Sequence, residues 1–207
     1  MNFLELEKER VYKAHTIDSY TRSPKSLENI HHAISQYVLN HSDYEAQDLT
    51  TKEYTFINSN NMGSKKIDIA LLKNKELKGA ILFKGPCKDY NKNANNYYEN
   101  MKGESSLFIE DNIPVYQLMW LPDYLPSSSS KKWEIPGQKH LDYYSNFIKN
   151  KSSYWDLLKV DIILFHIDYE NNYNTTYSNN LFVDGCSKTV EEGLDAFLKE
   201  VNSHWIK

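Results

Sequence analysis

The sequence predicts a single mixed α/β domain over residues 1–207, in which helices flank a central mixed β-sheet. Three patterns lead to this prediction: amphipathic helical segments near both ends, consecutive short apolar segments in the middle, and later apolar segments separated by helical ones. With 207 residues, 40% of them hydrophobic, the chain can form one sizeable core. We expect N-terminal helices over 1–45, a core over about 50–170 and a C-terminal helix over 189–205.

The first half of the chain is expected to form two helices and then three strands. Residues 3–14 carry a ragged apolar stripe that favours a first helix. Pro24 stands at a typical first position of a second helix, which continues to Asn40. Three short apolar or alternating runs then predict successive strands, at 53–58, 66–73 and 79–84.

The second half is expected to alternate helices with two buried strands. A helix over 91–108 would place Ala94 and Met101 on one side. Thr189 and Glu192 can form a capping box at the start of the last helix. The remaining predicted elements are strands at 114–120 and 160–169, a loop at 122–136, helices at 137–150 and 152–158, and a polar loop or hairpin tip at 170–180.

The second and third predicted strands should form a hairpin that brings an acid beside a lysine. With a turn at 74–77, antiparallel pairing puts Asp68 opposite Phe83 and next to Lys84. A carboxylate inside an apolar strand is costly unless it is paired or binds a metal ion. The pattern therefore indicates either a structural Asp68–Lys84 ion pair or a metal-dependent site.

Positive charge is concentrated around this hairpin, although the net charge of the whole chain is −4. Between Met62 and Lys102 there are nine lysines and four acidic residues. Such a segment is either a solvated face or a surface for a polyanion such as nucleic acid. The acid-x-lysine string of Glu76 and Lys78 also lies here, but it falls at the hairpin tip, away from Asp68.

Asp68, Lys84 and the Asn-rich segment KNANNYYENMKGE at 92–104 together resemble the PD-(D/E)xK nuclease superfamily, and type II restriction endonucleases in particular. In that family an Asp opens the motif, an acid-x-Lys string follows on the next strand, and a helix comes afterwards. The resemblance is close over 65–104 and extends to the later strands through element order. It implies a restriction-endonuclease-like core in a homodimeric, Mg²⁺-dependent enzyme. Such an enzyme hydrolyses phosphodiester bonds of double-stranded DNA at a short specific sequence.

The chain departs from the family motif at Leu82, where the family usually has an acidic residue. Leucine offers no oxygen to Mg²⁺. Either activity has been lost, or the second acid lies on the following helix, a variation that the superfamily shows. We favour Glu99 for this role, with Glu104 as the alternative and Glu28 as a further candidate ligand.

The resemblance implies a role for each residue of the site. Asp68, Glu99 and the backbone carbonyl of Phe83 would hold Mg²⁺. Lys84 would position the attacking water, help to deprotonate it, or stabilise the charge on the phosphate. The expected catalytic residues are Asp68, Lys84 and Glu99.

DNA contacts are expected from the segment that follows the lysine. Lysine can meet phosphates, and asparagine can bind adenine in the major groove. The alternative role for these asparagines is helix capping and solvation. The candidates are Lys88, Asn91, Lys92, Asn93, Asn95 and Asn96.

Two alternatives to an active nuclease stay open. One is a catalytically inactive DNA-binding relative, in which Leu82 marks the lost activity. The other is an interaction protein that does not bind nucleic acid. The histidines offer no site: His31 and His32 are adjacent on a helix, so we expect one buried and one exposed, and we expect His166 in the core.

The chain is expected to be cytoplasmic and to have no membrane partner. No segment has the apolar length of a membrane span, and the charged N-terminus lacks the features of a secretory signal. Cys87 and Cys186 match neither a disulfide framework nor a zinc pattern, which favours a reducing compartment.

Overall fold

The computed structural model of the protein describes residues 2–16, 25–48, 52–60, 63–126 and 133–206. Within these ranges the helices are α1 (Phe3–Thr16), α2 (Lys25–His41), α3 (Tyr90–Glu110), α4 (Gln138–Asn150) and α5 (Val190–Trp205). The strands are β1 (Glu45–Asp48), β2 (Tyr54–Ile57), β3 (Ser64–Ile67), β4 (Ile69–Lys73), β5 (Glu76–Lys84), β6 (Val115–Pro122), β7 (Leu125–Pro126), β8 (Trp133–Glu134), β9 (Leu158–Asp168) and β10 (Asn174–Tyr177).

Six strands form one mixed sheet in the order β1-β4-β5-β6-β9-β10. β1, β4 and β5 are antiparallel neighbours, β5, β6 and β9 run parallel, and β10 is antiparallel to β9. The pairs β2–β3 and β7–β8 form two small separate sheets. The predicted class, a mixed α/β fold with helices flanking a mixed sheet, is confirmed.

The central sheet separates two hydrophobic clusters, and β5 contributes to both. Ile81 and Phe83 pack in the cluster that contains residues of α1, α2 and α5. Leu82, which is fully buried, packs in the cluster that contains residues of α3 and α4. Because side chains alternate along a strand, Lys84 emerges on the same side as Leu82, towards α3.

The central hairpin has a tighter turn than expected. Asn74 and Lys75 both have positive φ angles, 54° and 67°, and they form a two-residue turn of the kind that joins antiparallel strands. An irregularity at Leu71 and Leu72 then shifts the pairing, so Ile69 lies opposite Ile81. The predicted turn was therefore wrong, and the predicted pairing of β4 with β5 was displaced by one residue at the Asp68 end.

Several other boundaries differ from the prediction. The strand expected at 66–73 is divided by a bend at Asp68 into β3 and β4. The helix expected at 152–158 is a single 3₁₀ turn, Ser153–Trp155, and Leu158 already begins β9. Strands β1 and β10 were not predicted, because both lie at sheet edges and carry polar sequences. Pro24 lies outside the described residues, and helix α2 is described from Lys25.

The most regular elements match the prediction closely. Thr189 caps α5, and its hydroxyl accepts a hydrogen bond from the Glu192 backbone N–H at 3.2 Å.

The expectation of a core His166 was wrong: it is exposed near the end of β9, where its ring contacts Asp123. The expectation for the other two histidines is confirmed, since His31 is buried and His32 is exposed.

Candidate functional site

The bend between β3 and β4 places Asp68 beside the end of β5. The Asp68 side chain is half-buried, and its Oδ2 atom accepts a hydrogen bond of 2.7 Å from the backbone N–H of Phe83. Phe83 immediately precedes Lys84, so the acid and the lysine lie at the same end of the hairpin, as predicted. The ion pairs among the described residues include none between Asp68 and Lys84, which argues against a simple structural pair.

The backbone of Phe83 is oriented towards the Asp68 side of β5. The Ala80 N–H donates to the Pro114 carbonyl, so Ala80 faces β6. Backbone groups of alternate residues in a strand point to opposite neighbours. The N–H and C=O of Phe83, three positions later, therefore face β4 and the bend at Asp68.

Glu104 of α3 meets Lys84 across this end of the sheet. One carboxylate oxygen of Glu104, Oε2, lies 3.5 Å from the Lys84 ammonium. The other, Oε1, accepts a hydrogen bond of 2.6 Å from Lys65 of β3. Oε2 is buried and accepts no hydrogen bond from any described residue. We call Lys65, Asp68, Lys84 and Glu104 the hairpin-end cluster.

Glu99, the favoured helix acid, does not reach this cluster, and this expectation is corrected. Its side chain is 68% exposed, and its ion-pair partner is Lys102 at 4.0 Å, whereas Glu104 is 22% exposed. The reason is the helical period. Glu99 lies two residues before the buried Met101, which turns it about 200° away from the sheet. Glu104 lies three residues after Met101 and so stays at the edge of the buried face.

Glu28 is an exposed residue in the first turn of α2, and the ion pairs of the described residues include none between Glu28 and the hairpin-end cluster. The nearer residue on the same helix is His31, one turn later. Its ring packs edge-on against Phe83, with ring centroids 5.6 Å apart. Burial lowers the pKa of the His31 imidazole, although the nearby Asp68 carboxylate acts in the opposite direction. The helical pattern could predict that His31 is buried, but no motif linked it to Asp68.

The carboxylate and carbonyl oxygens at this end of the sheet are donors of the type that a hard divalent cation prefers. Asp68, Glu104 and the Phe83 carbonyl would be its ligands, and oxygen is the donor that Mg²⁺ prefers. The buried Glu104 Oε2, which lacks a hydrogen bond, is the observation that supports this fit. Within the described ranges, no group of three or more His, Cys, Asp or Glu side chains could hold a metal ion. Any such ion would therefore need a backbone oxygen and other oxygen ligands.

The six candidate DNA-binding residues fall into two groups. Asn91 and Asn93 have structural contacts: Asn91 accepts from the Gly137 N–H at 2.7 Å, and Asn93 donates to the Asp89 carbonyl at 3.0 Å. Lys92, Asn95 and Asn96 are exposed on α3, and Lys88 is half-exposed before it. The exposed group stays a set of candidates, while the amide of Asn91 holds the start of α4.

A buried ion pair supports the chain just after Lys84. Arg10 of α1 donates to both carboxylate oxygens of Glu7 and, at 2.6 Å, to the carbonyl of Gly85. Glu7 and Arg10 are both buried. This clamp fixes the peptide that follows Lys84, and nothing in the sequence pattern predicted it.

The chain was compared with protein families, with curated proteins and with solved structures. No family model, curated protein or solved structure matches the chain. Among the described residues, no helix has both the length and the apolar character needed to cross a bilayer.

Proposed function

We propose that the protein is a Mg²⁺-dependent endonuclease that hydrolyses phosphodiester bonds of double-stranded DNA. Two observations carry this proposal: Asp68 accepts a hydrogen bond from the backbone N–H of Phe83, and Glu104 contacts Lys84, the next residue of the same strand. Glu104 replaces Glu99 in the role of the acid supplied by the helix. This arrangement answers the departure at Leu82, because α3 delivers a carboxylate to the side of β5 that Leu82 leaves apolar.

Each residue of the site has a physical role in this proposal. Asp68 and Glu104, with the Phe83 carbonyl, would hold Mg²⁺. When bound, such an ion supplies charge neutralisation at the phosphate and a lowered pKa for water. The Lys84 ammonium would donate hydrogen bonds to phosphate oxygens, which gain negative charge in the transition state.

Sequence specificity and a homodimer belong to the same proposal and rest on the resemblance to type II restriction endonucleases. A two-fold dimer would place one active site on each strand of a palindromic sequence. The exposed Lys92, Asn95 and Asn96 on α3 are the side chains available for DNA contacts. Both cysteines are free thiols, which suits the cytoplasm.

A second candidate function is an inactive DNA-binding protein of the same fold. The observation that favours it is the double pairing of Glu104, whose carboxylate already contacts both Lys65 and Lys84. Contacts of this kind would also be expected if Glu104 served only to hold α3 against the sheet through ion pairs. The ammonium groups of Lys65 and Lys84 would then serve phosphate binding alone.

Plasmid cleavage separates these two functions. Supercoiled plasmids of unrelated sequence are incubated with the protein in Mg²⁺ and, in parallel, in EDTA. Discrete linear fragments in Mg²⁺ alone are expected. A salt-dependent gel shift in Ca²⁺ without cleavage in Mg²⁺ would support the inactive relative. If the protein neither shifts the DNA nor cleaves it, both functions are rejected.

A further inference from the structure

The hairpin-end cluster is balanced in charge. It contains the two carboxylates of Asp68 and Glu104 and the two ammonium groups of Lys65 and Lys84. Lys65 makes the shorter contact with Glu104, 2.6 Å, whereas the contact of Lys84 is 3.5 Å. Lys65 is only 23% exposed, so its charge is poorly screened by water there.

Lys65 has no role in the proposed cleavage chemistry, yet it is the closest cation to Glu104. A residue that only braced α3 against β3 could have been neutral. The ammonium instead neutralises one of the two side chains that would attract a divalent cation. A cation approaching Oε2 of Glu104 therefore meets two positive charges at close range.

We infer that Lys65 keeps divalent cations out of the DNA-free site and makes cation binding dependent on a nucleic-acid phosphate. This inference rests on the proposed function and names a regulation of the same site. An incoming phosphate attracts both ammonium groups and adds negative charge. The carboxylate of Glu104 then becomes available as the phosphate arrives. Binding of the phosphate and binding of the divalent cation therefore each raise the affinity of the site for the other.

The neighbouring lysine provides a matched control. Lys66 is the next residue of β3, and its ammonium pairs with Glu53 at 2.7 Å. Lys66 and Glu53 are 65% and 48% exposed, and side chains alternate across a strand, so Lys66 points away from Glu104. Lys65→Met and Lys66→Met remove the same charge from the same strand, but only Lys65→Met removes it from Glu104.

The test is calorimetric titration of Ca²⁺ into the full chain, with and without a DNA duplex, so the readout does not depend on cleavage. Without DNA, Lys65→Met should bind Ca²⁺ about tenfold more tightly than Lys66→Met, the effect of one poorly screened charge. DNA should raise the Ca²⁺ affinity of Lys66→Met more than that of Lys65→Met. Lys65→Arg, which keeps the charge, should behave like the wild type.

Two results would overturn the inference. Equal Ca²⁺ affinities for the two methionine variants would mean that Lys65 does not control cation entry. Weaker binding by Lys65→Met would mean that Lys65 only orients Glu104. Plasmid cleavage by the wild type alongside either result would leave the proposed function standing. Tighter binding by Lys65→Met without wild-type cleavage would reject catalysis and retain control of cation entry by Lys65.

Discussion

The Lys84 ammonium and the Glu104 carboxylate lie 3.5 Å apart, although they belong to different elements, a sheet strand and the helix that follows it. Through this contact an acid of the helix lies beside Lys84, while Leu82 stays fully buried in the core. Leu82 of β5 packs in the core, and Glu104 of α3 supplies the carboxylate beside Lys84. Lys84 and Glu104 therefore meet at the open end of the hairpin, away from its turn.

Replacing Lys84 by Ala is expected to lower single-turnover DNA cleavage by about a hundredfold or more, while DNA binding in Ca²⁺ stays near the wild-type value. The reason is that the ammonium would stabilise charge that develops in the transition state. Lys78→Ala is the control, because Lys78 pairs with Glu76 near the hairpin tip. Loss of cleavage in Lys78→Ala, with cleavage retained in Lys84→Ala, would place the site at the tip instead.

Two helical glycines should respond in opposite ways to Ala. A Cβ on Gly193 of α5 would clash with the Tyr116 hydroxyl and lie 2.7 Å from Asp161 Oδ2. Gly193→Ala should therefore lower the free energy of unfolding by about 2 kcal/mol or more, since this buried network would have to move. A Cβ on Gly103 of α3 would have no neighbour within 4 Å.

Gly103→Ala should raise the free energy of unfolding by about 0.5–1 kcal/mol through helix propensity alone. Urea titrations of the two variants give the comparison. If Gly193→Ala were as stable as the wild type, the close approach of α5 to Tyr116 would be incorrect.

The buried Glu7–Arg10 pair is expected to be sensitive to the loss of one partner. Arg10→Met leaves the Glu7 carboxylate in the core without its cation, which should lower the free energy of unfolding by about 3–5 kcal/mol at neutral pH. Lys8→Met removes the cation of a neighbouring pair whose side chains are 30% and 66% exposed, and should change the free energy of unfolding by less than about 0.5 kcal/mol. Similar values for the two variants, measured by urea unfolding, would argue that Arg10 is not buried.

The two thiols should make the protein less stable at alkaline pH. Burial raises the pKa of Cys87 to about 11 and that of Cys186 to about 12, from an ordinary value of 9.0. Between pH 9 and 11 the unfolded chain therefore releases thiol protons that the folded chain retains. Release of protons favours the unfolded state, so the free energy of unfolding falls as the pH rises.

The slope of this fall should be up to about 1.4 kcal/mol per pH unit for each thiol. Comparing wild type with the Cys87→Ala, Cys186→Ala double variant at pH 8, 9 and 10 isolates the thiols from the buried tyrosines. Parallel pH profiles for the two proteins would show that the thiols ionise equally in both states.

The sequence predicted the elements whose hydrophobic patterns are strong. α5 has a regular stripe with a Thr189 cap, and the apolar run of β9 is long enough to be recognised without its neighbours. The edge strands β1 and β10 were missed because an edge strand buries little and so carries no apolar pattern. The hairpin register was missed because the irregularity at Leu71 and Leu72 has no sequence signal.

For the site, the sequence placed Asp68 and Lys84 at the same end of the hairpin, but it favoured Glu99, whereas Glu104 is the helix acid that contacts Lys84. The distance along the chain favoured Glu99, yet the period that buries Ala94 and Met101 already turns Glu99 outwards. Rotation of the helix, not chain length, selects Glu104. The contacts of Lys65 and Arg10 depend on packing between distant elements, which no local pattern encodes.

Cleavage of plasmid DNA in Mg²⁺ by the wild type, Glu104→Gln and Glu99→Gln tests whether Glu104 is the acid that α3 supplies to a nuclease site. Glutamine keeps the shape of each side chain and removes its charge. We expect the wild type to cleave, Glu99→Gln to stay within a few-fold of the wild-type rate, and Glu104→Gln to lose about a hundredfold or more, because only Glu104 would be a metal ligand. Glu104→Gln cleaving as fast as Glu99→Gln, or a wild type that is inert in Mg²⁺, would contradict this expectation.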